Sequence, residues 1–328
     1  MKTFRLISLC IILLSSQILK GQESGSVFNF LNLPTSSHAT ALGGRNISLI
    51  EDDASLVFQN PAMLASVSNN TMNLNFMTYM RGSKTGSASF VRVAGKRGTW
   101  GTGIQFVGYG SMKETLETGE VLGEMHALDM AISGMYSYNL SDRWVGAATG
   151  KIIYSKYASY TSCGLAVDLG LNYYDEDKDF SISAVAANLG GQIKAFGEDH
   201  ERIPFNLQLG FSKSLGHAPI RFSVTMVDLS RWSSKYYYHV NKNPKGGSIL
   251  MNHFCFGVDI IPTKQFYIAA GYNFRRAYEM KAAGSSHAAG LSAGAGLNIK
   301  KVKFGLAYAK YHVSTPTVSV SISYSIKP

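Results

Sequence analysis

Residues 317–326, Thr-Val-Ser-Val-Ser-Ile-Ser-Tyr-Ser-Ile, carry the pattern on which the fold turns. Val318, Val320, Ile322, Tyr324 and Ile326 alternate with Ser319, Ser321, Ser323 and Ser325. That is the period of two that a β-strand imposes by sending successive side chains to opposite faces. One face is oily and the other is small and polar. The segment before it repeats the order, with Val302, Phe304, Leu306 and Tyr308 against Lys303, Gly305, Ala307 and Ala309. Ile220, Phe222, Val224 and Met226 oppose Arg221, Ser223 and Thr225 in the same way, and Leu207, Leu209 and Phe211 oppose Gln208, Gly210 and Ser212.

Working outward, this order predicts strands near 71–79, 84–94, 98–109, 126–139, 144–157, 159–174, 180–189, 206–214, 219–228, 253–262, 265–274, 287–298, 302–311 and 316–326. The count of about fourteen is even, as a single-chain outer-membrane barrel requires when both ends lie on one side. Most segments reach the roughly 9 to 11 residues that a tilted strand needs to cross the hydrocarbon layer. Short links (95–97, 140–143, 175–179, 215–218, 262–264, 299–301) alternate with a second set that includes the long stretches 110–125, 190–205, 229–252 and 275–286. Short turns at one end and long loops at the other are the habit of membrane barrels, and a soluble β-sandwich has no reason for it. With no water in the bilayer to satisfy an open edge, the strands must close on themselves. The fold expected is therefore all-β: a transmembrane antiparallel β-barrel of about fourteen strands over 71–328. Trp100, Tyr109, Trp144, Tyr174, Phe180 and Tyr272 lie near segment ends and fit interfacial girdles.

Composition agrees. Gly (33), Tyr (18) and Phe (17) are plentiful, Pro (8) is scarce and only 16% of residues are charged; mean hydropathy is close to zero. At the start, Lys2 and Arg5 precede an apolar run over 6–19 and small Gly21, the order of a cleaved secretory signal over 1–21. Cys10 precedes the apolar core, which argues against a lipoprotein signal. Removing the signal leaves 28 basic against 21 acidic residues, a bias that suits an anionic lipid surface or a solvated basic face. Cys163 and Cys255 fall on opposite faces of the alternation, so both are expected as free thiols.

Residues 22–70 do not follow the barrel pattern. A small-residue stretch ends at Gly43 and Gly44, followed by Ile47 to Ile50, the acids Glu51, Asp52 and Asp53, and the turn Asn60-Pro61-Ala62. Asp53 is expected to cap a short helix through Phe58, with the prolyl bond ending it and the other two acids in solvent. Such a segment can fold back into the lumen as a hatch. Here the chain resembles the FadL-like outer-membrane proteins, in which a "GG…DDAS…NPA" segment precedes fourteen strands. Within them it is similar to the PorV/PorQ family of type IX secretion barrels of the Bacteroidetes, through "LPTSSHATALGGRNISLIEDDASLVFQNPAML" (from Leu33), "MKETLETG" (from Met112), "NLGGQIKAFGED" (from Asn188), "RFSVTMVDLSRW" (from Arg221), "GYNFRRAYEMK" (from Gly271) and "AKYHVS" (from Ala309). It departs from the usual barrel pattern in ending Ile326, Lys327, Pro328 instead of on an aromatic residue. The resemblance implies a barrel that holds a PorZ-like surface protein, with other attachment-complex subunits, where cargo is processed and joined to lipopolysaccharide. The broader class implies uptake of hydrophobic small molecules as the rival role.

A search for catalytic chemistry returns one motif. Gly290, Ser292 and Gly294 fit G-x-S-x-G, but the strand-to-helix context of a nucleophile elbow is missing. His253 and His287 have no carboxylate at triad spacing, and Cys and His give no zinc set. Neither enzyme activity, cofactor, metal nor nucleic-acid partner is expected. The partner-facing candidates are loop residues: Arg231, Trp232, Tyr236, Tyr237 and Tyr238, and a second basic cluster at Arg275 and Arg276 beside Lys281. Their residue types dominate interface hot spots.

Overall fold

Antiparallel pairing of each strand with the next builds the whole wall. The computed structural model describes residues 26–115, 118, 120–233, 236, 246–279, 288–311 and 316–326. The expected signal and two of the loop candidates, Tyr237 and Tyr238, lie outside the described residues. Fourteen strands follow one another around a closed barrel: β1 (Thr71–Thr78), β2 (Lys84–Ala94), β3 (Gly98–Thr115), β4 (Val121–Asn139), β5 (Trp144–Tyr157), β6 (Tyr160–Asp175), β7 (Phe180–Lys194), β8 (Asn206–Ser214), β9 (Ile220–Met226), β10 (Phe254–Thr263), β11 (Phe266–Asn273), β12 (Leu291–Ile299), β13 (Val302–Ala309) and β14 (Thr317–Ser325). β14 returns to β1, in register from Thr71↔Ser325 to Met77↔Ser319. Within the continuous wall no edge is left open, which the absence of water in hydrocarbon demands.

The alternation fixes which side meets lipid. Val318, Val320, Ile322 and Tyr324 are exposed on the outside while Ser319, Ser321, Ser323 and Ser325 are buried inside. On β13, Phe304, Leu306 and Tyr308 are exposed and Ala307 and Ala309 buried. Both cysteines are free, with Cys255 buried inside and Cys163 half-buried among the outward positions. Trp100 and Trp144 are exposed near strand ends, and Trp144 packs on Tyr173 at 5.1 Å. Tyr109 departs from the girdle reading. Its hydroxyl donates at 2.6 Å to buried Asp129, so the ring belongs to the lumen.

The short links do gather at one end of the barrel and the long ones at the other. One of the expected long loops is largely strand and another begins as strand. β3 runs on to Thr115 and β4 starts at Val121, where a loop over 110–125 is expected; β7 continues to Lys194. These extensions stand beyond the oily belt, where a strand no longer shows lipid one face and lumen the other, so no alternation marks them. β12 begins at Leu291, several residues later than its pattern implies. One wall is consequently tall: β3 to β7 have 14 to 19 residues, while β9 has 7 and β11 and β13 have 8 each.

A charge placed on the oily face carries a cost that scales with its depth in the hydrocarbon. Ile322→Arg, near the middle of β14, is expected to lower folding stability in lipid vesicles by about 2–4 kcal/mol, and Ile326→Arg, beyond the strand end, by about 1 kcal/mol or less. Urea titration of the refolded barrels reads the difference; equal effects at the two positions would contradict the assignment of faces.

Candidate functional site

The chain ahead of β1 fills the barrel it precedes. Ser36 caps a short helix, α1 (Ser37–Ala41), its hydroxyl accepting from the Ala39 amide at 3.3 Å. The chain then reverses through Gly43 (φ 92°) and Gly44 (φ 88°), left-handed conformations that suit glycine. The wall clamps that turn. Asn273 donates to the Gly43 carbonyl at 3.1 Å, and the Gly43 amide donates to Ser292 Oγ at 3.0 Å. Ser292 in turn donates to the Ala41 carbonyl at 2.7 Å. The serine of the G-x-S-x-G pattern is therefore a plug anchor at the start of β12, with its hydroxyl spent on backbone. A Cβ at Gly271 would fall on the Gly43 amide, so only glycine lets the turn lie this close.

Asn60 and Pro61 are placed with similar economy. Asn60 is fully buried; its Oδ1 accepts from the Ala62 amide at 2.9 Å, capping a 3₁₀ segment over Pro61–Ser66, and its Nδ2 donates to the Ile47 carbonyl at 2.7 Å. Pro61 occupies the first turn, where its missing N–H costs nothing. Asp53 accepts from the Ser55 amide at 2.9 Å at the head of a 3₁₀ turn over Leu56–Phe58, close to the expected cap.

The other two acids are not in solvent, a correction to the sequence reading. Asp52 pairs with Lys303 of β13 at 2.5 Å and accepts from the Ser68 amide at 2.6 Å. Glu51 enters a ring of four charges that joins plug to wall. His38 Nδ1 meets Glu51 at 2.8 Å, His38 Nε2 meets Asp259 of β10 at 2.7 Å, and Arg221 of β9 donates to Asp259 at 2.9 Å and to Glu51 at 2.6 Å. Two cations and two anions alternate, so the ring is neutral when His38 is charged. The His38 ring stacks on Tyr267 at 3.8 Å. Burial alone would strip the proton from His38, but Glu51 and Asp259 outweigh it and push the pKa up to about 10. Burial likewise opposes charge on Glu51, yet His38 and Arg221 hold its carboxyl well below the ordinary range. Arg221, Asp259, Lys303 and Tyr267 all lie toward the short-turn ends of their strands, so this latch sits at that mouth.

Toward the other mouth the filling is apolar. Phe28, Phe30 and Leu31 pack against Val107, Ala131, Ile153 and Ala166 of β3 to β6 and against Ile203 of the loop after β7. The Val27 amide donates to the Arg202 carbonyl at 3.0 Å, tying the start of the plug to that loop. Gly164 and Gly103 leave the room that the Phe28 and Phe58 rings occupy.

Three of the loop candidates, Arg231, Tyr236 and Arg275, meet each other. Tyr236 lies between the guanidinium groups of Arg231 and Arg275, 4.5 and 4.7 Å from its ring centre. Arg275 also pairs with Asp228 at 2.5 Å and with Glu279 at 3.0 Å along a short helix, α3 (Phe274–Glu279). A second short helix, α2 (Gly246–Asn252), precedes β10. Trp232 leans on His253 at 4.1 Å and keeps half its surface exposed. Arg276 turns inward, stacked 3.5 Å over Tyr311 and close against Gly44. The sequence search singled out Gly43, Gly44, Asp52, Asp53, Asn60 and Pro61, and the structure places all of them in the plug. It missed His38, Glu51, Arg221 and Asp259. A usable signal existed: Arg221 sits on the inner face of an alternating strand, where a charge needs a partner.

The latch has a definite pH dependence. His38 has a folded pKa above its ordinary value, so its contribution is complete below about pH 6.5 and is lost as pH rises through about 10. Glu51 is shifted the other way, so its share holds above the ordinary carboxylate range and fails only as pH falls well beneath it. His38→Gln is expected to lower stability by about 3 kcal/mol at pH 6, since it leaves buried carboxylates underpaired. By pH 10.5 most of that difference should be gone. Melting curves of both proteins at the two pH values check this; an equal gap at both would mean the histidine charge is irrelevant.

No protein-family model matches the chain, and no curated protein matches it in sequence. Among solved structures, the Pseudomonas putida toluene transporter TodX superposes with a TM-score of 0.54 at 11% identity, covering 89% of this chain and 96% of that one. The CymD monoaromatic hydrocarbon channel gives 0.56 at 14% identity, covering 90% and 99%. A Pseudomonas aeruginosa FadL homologue gives 0.54 at 12% identity, covering 89% and 98%. At such identities the likeness is one of fold: this chain has the FadL-like fourteen-strand outer-membrane barrel with its N-terminal segment inside.

Proposed function

We propose that the protein is a plugged outer-membrane barrel, similar to PorQ, that anchors a PorZ-like surface protein of the type IX attachment complex and performs no catalysis. The observation that carries the closed-barrel half is the filling of the lumen. From Val27 to Val67 most side chains are buried, with charge pairs at the short-turn mouth and an apolar cluster toward the other. A conduit for apolar solutes needs its apolar pocket vacant; here Phe28, Phe30 and Leu31 occupy it. The partner half is supported by the sequence resemblance and by the charged and aromatic loop side chains at the long-loop end, among them Arg231, Trp232, Tyr236 and Arg275. Lipopolysaccharide surrounds the outer rim in this reading, beside a mature chain with 28 basic against 21 acidic residues.

A second reading has one observation in its favour. TodX and CymD, which share the fold, are described as a toluene transporter and a monoaromatic hydrocarbon channel. Passage of hydrophobic small molecules would then require the plug to yield.

In planar bilayers the intact barrel is expected to be silent, while a variant lacking residues 26–67 conducts ions. In cells, deletion of the gene is expected to release the surface protein and secreted cargo into the medium without impairing growth on hydrophobic carbon sources. Unchanged surface retention, together with loss of hydrocarbon uptake, would overturn the anchoring reading in favour of transport.

A further inference from the structure

The tall side of the barrel ends in something that no membrane crossing requires. Pairing of β2 with β3 stops at Lys84↔Gly108, and pairing of β4 with β5 stops at Ala127↔Tyr157. β3 and β4 continue together beyond both, from Ser111↔His126 to Thr115↔Val121. Residues 109–115 and 121–126 thus form a two-stranded ribbon with no strand beside either edge among the described residues. At about 3.3 Å per residue it stands roughly 20 Å beyond the continuous wall, at the long-loop end. The turn-off is built in: the register shifts between Gly108 and Ser111, and Gly110 has φ 75°. Every residue from Gly110 to Thr115 is exposed, as are Met112 and Val121, apolar side chains clear of the lipid belt.

Open edges of this kind are usually blunted, and an isolated pair of strands is at best marginally stable in water. A ribbon held ready in this form is a template for a third strand. Its charge narrows the choice of occupant. Within its two strands Glu114 and Glu124 outnumber Lys113, and Glu120 stands just ahead of the second, on a mature chain with 28 basic against 21 acidic residues. Phosphates of surrounding lipopolysaccharide repel such an element; a basic protein segment is attracted to it. We infer that the β3–β4 ribbon is a docking element that receives an extended, basic segment of a surface protein by strand addition. Main-chain hydrogen bonds supply affinity, and the alternate side chains, Met112 and Glu114 among them, supply selectivity. This inference deepens the anchoring role and rests on it only for the identity of the partner.

Hydrogen exchange in native outer-membrane vesicles tests the docking itself. Amides of 109–115 and 121–126 should exchange at least about ten-fold more slowly there than in the detergent-purified barrel, and a 1 M salt wash should abolish the difference. Equal exchange in the two preparations overturns the inference, and so does equal protection in vesicles of lipopolysaccharide alone. In parallel, the purified barrel carrying Glu114→Lys with Glu124→Lys should keep its folded, heat-modifiable mobility but bind a purified PorZ-like protein at least about ten-fold more weakly than wild type. Wild-type and variant binding alike, with an unprotected ribbon, removes the docking inference and leaves the anchoring role intact. A protected ribbon with no binding of that protein to wild type removes the named partner and leaves the docking element.

Discussion

Main-chain polar groups that cross hydrocarbon have nowhere to bond except to each other, and the rest of the molecule follows from that. An antiparallel sheet meets the demand only when its last strand returns to its first, as β14 does to β1. Closure of fourteen strands encloses a lumen. The lumen must then be water-filled or packed, and the same alternation that turns valine, leucine and tyrosine toward lipid leaves serine, glycine and alanine facing in. A wall of small groups is a surface against which another piece of chain can lie closely.

The plug takes that opportunity residue by residue. Inner serines that look like a solvated face are hydrogen-bonding sites for it: Ser37 with Ser321 at 2.5 Å, Ser48 with Ser212 at 2.7 Å, and Ser89 with the Ala54 carbonyl at 2.7 Å. Inner glycines mark close approach, with Gly271 under Gly43 and Gly170 beneath Asn60 and Pro61. The four-charge ring of His38, Glu51, Arg221 and Asp259 adds specificity to what packing alone would leave loose. Buried ion pairs contribute little net stability because desolvation offsets their attraction, but removing one member leaves an uncompensated charge, so the ring strongly disfavours any other seating of the plug. The molecule is a wall and a filling that specify each other.

Much of the wall was readable from side-chain order. Alternation within the belt located the fourteen strands to within a few residues at most ends, because a strand between oil and a small polar interior has only one acceptable pattern. The outer part of β3 and β4 escaped, since Ser111 to Thr115 stand in water on both faces and obey no such pattern. The plug motif was recognisable, but its partners were not. Glu51 and Arg221 are 170 residues apart, and only closure of the barrel brings β9 and β10 to the plug. The two acids assigned to solvent were misplaced for that reason: nothing local to Glu51 or Asp52 announces Arg221 or Lys303. Ser292 shows the converse, a local pattern that matches a catalytic motif while the strand around it gives the hydroxyl a structural task.

A cross-link between plug and wall in the membrane-inserted protein measures the central claim most directly. Ser37 and Ser321 lie 284 residues apart in sequence, yet their hydroxyl oxygens are 2.5 Å apart across the seam. With both replaced by cysteine, and with Cys163→Ala and Cys255→Ala to remove the native thiols, mild oxidation in isolated outer membranes should join the two positions in most molecules while the barrel keeps its folded, heat-modifiable mobility. Two free thiols in a folded, membrane-inserted barrel would contradict a plug seated inside a closed wall.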